Sequence, residues 1–319
     1  MRVLVLHNPK AGSDASAGEQ LVRRIVECGH QVEVHTSKKA WTAALNHDPD
    51  VVVAMGGDGT VGKVARALAG RPIPIALLPM GTANNVASAL GLHNRALPDL
   101  IAGWTDATRR PFDVGVARGP WGEYRFLESV GLGLLSEAIH VIDEGHAAYV
   151  NEIGHTETRI NAALDVFRHT VESIPPATVE LWLDGAALSG EYILVEALNF
   201  GTAGPNLNFA PHGNPSDGLL DLVLAQDAER GLLRDRLHQL RSERIAPSGT
   251  ASDAAGTASG ARGTASGLRT HRGRRIEMRC DGCLLHLDDQ LRRSDDRTAA
   301  TIEITVEAGA LTFLIPAGE

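Results

Sequence analysis

The apolar positions in the first ninety residues fall into short runs separated by stretches with helical spacing. Residues 3–7, 31–36, 51–55 and 73–78 are strand-like runs of Val, Ile and Leu, and 15–27, 39–45, 61–69 and 83–90 are helix-like. Regular alternation of this kind predicts a parallel sheet covered by helices on both faces. Ligands bind such sheets at the carboxyl ends of the strands. Three of the four runs lead into loops of small and polar residues: Asn8-Pro9-Lys10-Ala11-Gly12, Gly56-Gly57-Asp58-Gly59-Thr60 and Pro79-Met80-Gly81-Thr82-Ala83-Asn84-Asn85. All three are therefore expected on one edge of the sheet. Glycines there let backbone N–H groups approach a phosphate, and a helix N-terminus adds about half a positive charge. Asp58, expected in a surface loop, cannot attract phosphate; it suits the orienting of donors or the holding of Mg²⁺.

Beyond Phe112-Asp113 the pattern changes. Residues 177–183, 192–198, 219–225, 275–279, 284–287, 301–306 and 311–315 read as strands separated by turn chemistry such as Asp184-Gly185. Several follow one another without helices, which predicts a mainly antiparallel, β-rich second domain. Two helical stretches interrupt it: Ile160, Leu164, Phe167 and Val171 share one face, and 228–241 is charged and amphipathic. The chain thus divides into an α/β domain over 1–112 and a β-rich domain over 113–319. Within the second, residues 247–267 repeat Gly-Thr-Ala-Ser from Gly249, Gly256 and Gly263 without a large apolar side chain, the composition of a flexible linker.

Charge and composition remove several classes. A net charge of −9 argues against a general nucleic-acid binder. No run of 18 apolar residues is present and the apolar N-terminus is too short for a signal peptide, which predicts a soluble, cytoplasmic protein with no transmembrane segment. Three cysteines suit a reducing compartment. Cys280 and Cys283 with His286 have metal-like spacing but no fourth ligand, so a strand–turn–strand with incidental cysteines is the better reading. No Gly-x-Ser-x-Gly elbow supports a serine hydrolase.

The three loops, with Asn199, Gly204-Pro205-Asn206-Leu207, Ala210-Pro211, Ser216-Asp217-Gly218-Leu219 and His286-Leu287-Asp288-Asp289-Gln290, resemble the diacylglycerol kinase catalytic-domain family. That family includes sphingosine kinase-like and bacterial soluble lipid kinases. Gly-Gly-Asp-Gly-Thr alone is shared with NAD kinases; the middle loop resembles the lipid-kinase form. The resemblance implies a β-sandwich-like second domain and an active site in the cleft between domains. It implies ATP held by Asn8, Pro9, Lys10, Ala11, Gly12, Thr36, Gly56, Gly57, Asp58, Gly59, Thr60, Gly81, Thr82, Asn84 and Asn85. It further implies Mg²⁺ placed by acidic residues, a structural metal at Asp217 and Leu219, and a lipid hydroxyl as acceptor, met at the inner face of a membrane. The sequence leaves a homodimer open.

Two positions depart from the family pattern. The third loop normally ends Asn-Asp and here reads Asn84-Asn85; the base triplet, normally ending in glutamate, reads Asp288-Asp289-Gln290. An amide cannot take a proton as a carboxylate does. Strand alternation puts Asp288 on the same face as Gln290 and Asp289 on the other, which favours Asp288 as the base. The alternatives are an impaired nucleotide- or lipid-binding protein on the same fold, or an NAD kinase.

Overall fold

A computed structural model describes residues 1–9, 15–36, 38–146, 156–245, 267–293 and 301–317; of the 247–267 insert only Gly267 falls among them. The chain opens with β1 (Arg2–His7), α1 (Ala15–Glu27), β2 (Gln31–His35), α2 (Lys38–Ala44), β3 (Val51–Gly56), α3 (Asp58–Leu68) and β4 (Ile75–Pro79). The four strands pair in parallel in the order β2-β1-β3-β4, as the alternation predicts. β3 is buried at every position, which accounts for its unbroken apolar sequence. From β1 the chain goes one way to β2 and the other way to β3. Open α/β sheets bind ligands at such a reversal, and here it lies between the loop after β1 and the glycine-rich loop after β3.

Two short helices, α4 (Asn85–Ala89) and α5 (Leu97–Ala102), lead to β5 (Thr108–Gly119), β6 (Gly122–Phe126), β7 (Ser129–Gly133) and α6 (Leu134–Val141). β5 runs unbroken through Phe112-Asp113 and pairs antiparallel with the strand Ile302–Ile315. The sequence pattern splits that partner into 301–306 and 311–315. The structure makes it one strand with an irregularity between Glu307 and Leu311, where Gly309 has φ +60°. Near its end Phe313 pairs with Ile75 of β4, and its earlier half carries the strands Arg275–Arg279 and Ala177–Leu183. One eleven-stranded sheet therefore passes through both halves of the molecule.

A second, antiparallel sheet has the order Arg269–Gly273, Leu220–Ala225, Leu194–Leu198, β7, Leu284–Leu287, Gln290–Arg293. Its inner face meets the antiparallel part of the large sheet in a sandwich core that includes Val130, Leu222 and Leu285 with Leu181, Met278 and Ile304. The helices Thr156–Ser173 and Arg230–Ile245 share a further core with this second sheet, and Ile160, Leu164, Phe167 and Val171 are all buried, as their spacing predicts.

The stretch of β5 that enters the second domain is anchored at Asp113. Its buried carboxylate accepts the Gly218 N–H at 2.6 Å and the Gly309 N–H at 2.7 Å, so one side chain satisfies both the strand irregularity and the 216–219 turn. Asn199, also buried, donates to the carbonyls of Asp113 and Leu127. Asp113→Asn puts an NH₂ group against one of the two N–H donors. It should lower unfolding free energy by about 2–4 kcal/mol, the cost of an unmet buried charge-assisted bond, measured by urea denaturation.

Candidate functional site

The glycines of the second and third loops bring those loops into contact. A Cβ built on Gly81 would lie 2.3 Å from Gly57 Cα, so neither position admits a side chain. The Met80 N–H donates to the Gly56 carbonyl and the Asn8 N–H to the Met55 carbonyl, both at 3.0 Å. Asn84 adopts φ +51°, and its side chain both accepts from the Gly81 N–H and donates to the Gly81 carbonyl, each at 2.9 Å. An amide that bonds its own loop offsets the cost of the left-handed conformation. Thr36 is exposed just past β2, and Pro9 is exposed just past β1. Lys10, Ala11 and Gly12 lie outside the described residues.

Asp58 opens α3 rather than sitting free in a surface loop. Its carboxylate accepts the Val86 N–H at 3.1 Å and also the N–H groups of Asn85 and Asn84, which ties it to the N-terminus of α4. Burial raises its proton affinity above the ordinary carboxylate range, and those backbone bonds oppose the rise. The expectation of a surface-loop Asp58 is therefore corrected: it couples the two glycine loops.

The opposite wall comes from the second domain. Leu284–Leu287 and Gln290–Arg293 form a hairpin in which Leu287 pairs with Gln290, so Asp288-Asp289 is the two-residue turn. The alternation that places Asp288 on a face with Gln290 does not hold, because Asp288 is not in a strand; its φ is +52°, as such turns require. Its carboxylate accepts the N–H groups of Glu128 at 2.9 Å and Leu127 at 3.1 Å and lies 3.3 Å from Arg66 Nη1 of α3. Burial pushes Asp288 up to about 6 against the pull of those donors. Asp289 instead reaches over the start of α3, its Oδ2 3.5 Å from a Cβ built on Gly59. Gln290 Oε1 accepts from Arg292 at 2.8 Å.

Beneath the turn, buried His286 has only acceptors at its two nitrogens. Nδ1 lies 3.0 Å from the Asp288 carbonyl, and Nε2 lies 2.9 Å from a Glu196 carboxylate oxygen. Burial opposes charge on the ring, but the Glu196 carboxylate outweighs it and raises the imidazole above its usual value. The cysteines take no part in this. Cys280 and Cys283 face each other across Asp281-Gly282, with Cα atoms 5.7 Å apart.

Two contributors, Glu128 and Arg66, escaped the sequence reading, and Asn206 was read there only as part of a motif, without a role in the site. Glu128 is the one charged residue between Phe126 and Leu135, the only signal in the sequence that it has a special task. Arg66 also stacks over the Tyr124 ring at 5.0 Å. Asp58, Gly59, Arg66, Glu128 and Asp289 line one cleft. Mg²⁺ commonly takes one or two carboxylates and leaves the remaining positions to phosphate and water. Asp58 and Glu128, two carboxylates whose proton affinity is raised first by burial, fit that pattern. Among the described residues no three His, Cys, Asp or Glu side chains converge as a full ligand set, so phosphates would supply the rest.

At the other implied metal position the fit is poorer. Asp217 accepts the Leu219 N–H at 3.0 Å, and its second oxygen is held by the Arg272 guanidinium. Arg272 Nε also lies 3.2 Å from Asp221, a buried carboxylate. A guanidinium thus supplies the positive charge that the resemblance assigns to a metal. Chelation with EDTA should leave the melting temperature within about 1 °C, whereas Arg272→Ala should lower it by several degrees, since it leaves Asp221 buried without its cation.

Asp288 gives a second expectation. A carboxyl whose folded pKa is raised contributes least once ionised, so its contribution is full below about pH 4 and is lost as pH rises toward 6. The stability of the parent minus that of Asp288→Asn should therefore fall between those values in denaturant titrations at stepped pH. A flat difference would contradict the burial argument.

Residues 2–117 match the family model of the diacylglycerol kinase catalytic domain, and 140–248 match the YegS C-terminal NAD kinase beta sandwich-like domain. The chain is 24% identical over 256 residues to a diacylglycerol kinase of Bacillus subtilis, covering 76% of this chain and 80% of that protein. It is 26% identical over 247 residues to a diacylglycerol kinase of Mycobacterium tuberculosis, covering 73% and 76%. A solved diacylglycerol kinase structure from Bacillus anthracis superposes with a TM-score of 0.66 at 18% identity, over 98% of this chain and 96% of that one; it shows the shared fold. The two family models and the switch-point loops agree: residues 2–117 carry a diacylglycerol kinase catalytic domain, followed at 140–248 by a YegS C-terminal NAD kinase beta sandwich-like domain.

Proposed function

We propose that this protein is an ATP-dependent lipid kinase that transfers the γ-phosphate to a hydroxyl of diacylglycerol or a related lipid. The observation that carries this reading is the cleft itself. Interlocked glycine loops at the switch point face a carboxylate that the second domain extends over the start of α3. Phosphoryl transfer needs chiefly positioning and neutralisation of charge, which such loops supply. Mg²⁺, when bound, neutralises charge on the phosphates.

Asp289 is the better base. The Asp288 carboxylate is committed to two N–H groups and Arg66, and Gln290 has no proton-accepting carboxylate. In the proposed step the acceptor hydroxyl oxygen bonds to the γ-phosphorus, its proton passes to Asp289, and the bond to the ADP oxygen breaks. A narrow apolar crevice of about 10 Å³, room for little more than one water, is lined by Leu134, Leu207, Phe209, Leu232, Leu233 and Leu237 among others. It begins one residue from Asn206, whose Nδ2 lies 3.3 Å from Asn85 Oδ1. Among the described residues no helix is long and apolar enough to cross a membrane, so the acceptor would be met at a membrane surface.

Incubation with labelled ATP and, separately, diacylglycerol, sphingosine, ceramide and NAD tests the assignment. Label should enter a lipid and not NAD. Asp289→Asn should lower turnover by about 10²–10⁴-fold, the usual range for a general base, and leave ATP affinity unchanged. Label in NAD alone would make the chain an NAD kinase. ATP binding without transfer would make it a nucleotide sensor.

A further inference from the structure

The family pattern carries a carboxylate at the position of Asn85. Here the Asn85 side chain is buried and fully engaged: Nδ2 donates to Glu128 Oε2 and to the Gly204 carbonyl, each at 2.8 Å, and Oδ1 accepts from Asn206 Nδ2 at 3.3 Å. Two donors meet two acceptors. An aspartate in this place would set its oxygens against a carbonyl and a second carboxylate with no proton between them. The amide is thus what its surroundings demand, and the surrounding group that demands it most is Glu128.

Glu128 stands at the corner between β6 and β7, where its N–H donates to Asp288 at 2.9 Å. The groups around it come from every neighbouring element: Asp58 and Arg66 of α3, Asn85 of α4, and Asp288 and Asp289 of the hairpin turn. Arg66 lies against Asp288. Burial first, then the charges of Asp58 and Asp288, raise the proton affinity of Glu128 well above the ordinary carboxylate range. Two carboxylates that disfavour each other's charge across a cleft are relieved by a cation placed between them.

We infer that the acidic function the family pattern places at residue 85 has moved across a hydrogen bond to Glu128, which with Asp58 holds the divalent cation of the nucleotide, while Asn85 serves as its amide partner. The inference rests on the proposed nucleotide site, and it makes a reciprocal demand on two residues 43 positions apart in the chain.

The test is an exchange of the two groups. Parent, Glu128→Gln, Asn85→Asp and the double variant Asn85→Asp/Glu128→Gln are compared for Mn²⁺ binding in the presence of a non-hydrolysable ATP analogue, followed by electron paramagnetic resonance. Melting temperature is measured in parallel. Glu128→Gln should weaken Mn²⁺ binding about 10–100-fold, the scale of losses at metal sites. Asn85→Asp should lower the melting temperature, because it sets a carboxylate against Glu128 and the Gly204 carbonyl, where two N–H donors now stand. The double variant should recover most of the parent's melting temperature and Mn²⁺ affinity, because the carboxylate and the amide have merely traded places.

Parent-like Mn²⁺ affinity in Glu128→Gln overturns the inference, as does Asn85→Asp with the parent's melting temperature. A folded double variant no better at holding Mn²⁺ than Glu128→Gln also overturns it. If Asn85→Asp alone fails to fold, recovery in the double variant supports the exchange and continued failure opposes it. These readouts need no lipid. A parent that binds Mn²⁺ with the analogue but phosphorylates nothing would sink the kinase assignment and leave this inference standing.

Discussion

The arrangement of the cleft depends on one carboxylate, that of Asp288. It receives the N–H groups of Leu127 and Glu128 and meets Arg66, so three separate segments are drawn to one point. Each segment carries a group the site needs: Glu128 at the β6–β7 corner, Asp289 on the hairpin turn, and Asp58 at the head of the helix that bears Arg66. The Asp288 main chain is fixed as well. Its N–H donates to the Ser129 carbonyl, and its own carbonyl accepts from His286, whose ring is held by buried Glu196 of the second sheet. The turn is thus anchored on both sides, which is how a loop can present a side chain to chemistry with little reorganisation.

Concentrating acid in a protein of net charge −9 has a cost that the structure offsets locally. At the cleft Arg66 faces Asp288, and at the 216–221 segment Arg272 faces Asp217 and Asp221. Asp113 is satisfied by backbone donors alone. Burial raises the proton affinity of Asp58 and Glu128 as it does that of Asp288 and Asp221, but Asp288 and Asp221 already face a guanidinium, so an outside cation gains most beside Asp58 and Glu128.

The first sheet was legible because β1, β3 and β4 are buried on both faces and the loops after β3 and β4 carry glycines demanded by contact, Gly57 and Gly81. β5 was not legible: its first half, Thr108-Arg109-Arg110-Pro111, is exposed and reads as a linker. The strand Ile302–Ile315 looked broken because Ala308-Gly309-Ala310 lacks strand-forming side chains. At the site, the glycine loops were readable from local pattern. The partnership of Glu128 with Asn85 and of Arg66 with Asp288 was not, because such pairs are made by tertiary folding between residues distant in the chain. The alternation argument for Asp288 failed on a turn two residues long, too short to interrupt an apolar–polar pattern visibly.

A double-mutant cycle between Arg66 and Asp288, read as turnover and as nucleotide affinity, tests most directly whether the cleft is assembled by this clamp. If it is, Arg66→Met and Asp288→Asn each lower turnover by about tenfold or more. The double variant is then no worse than the worse single change, since both remove one shared interaction. Losses that multiply independently in the double variant, with all proteins folded, would contradict the account.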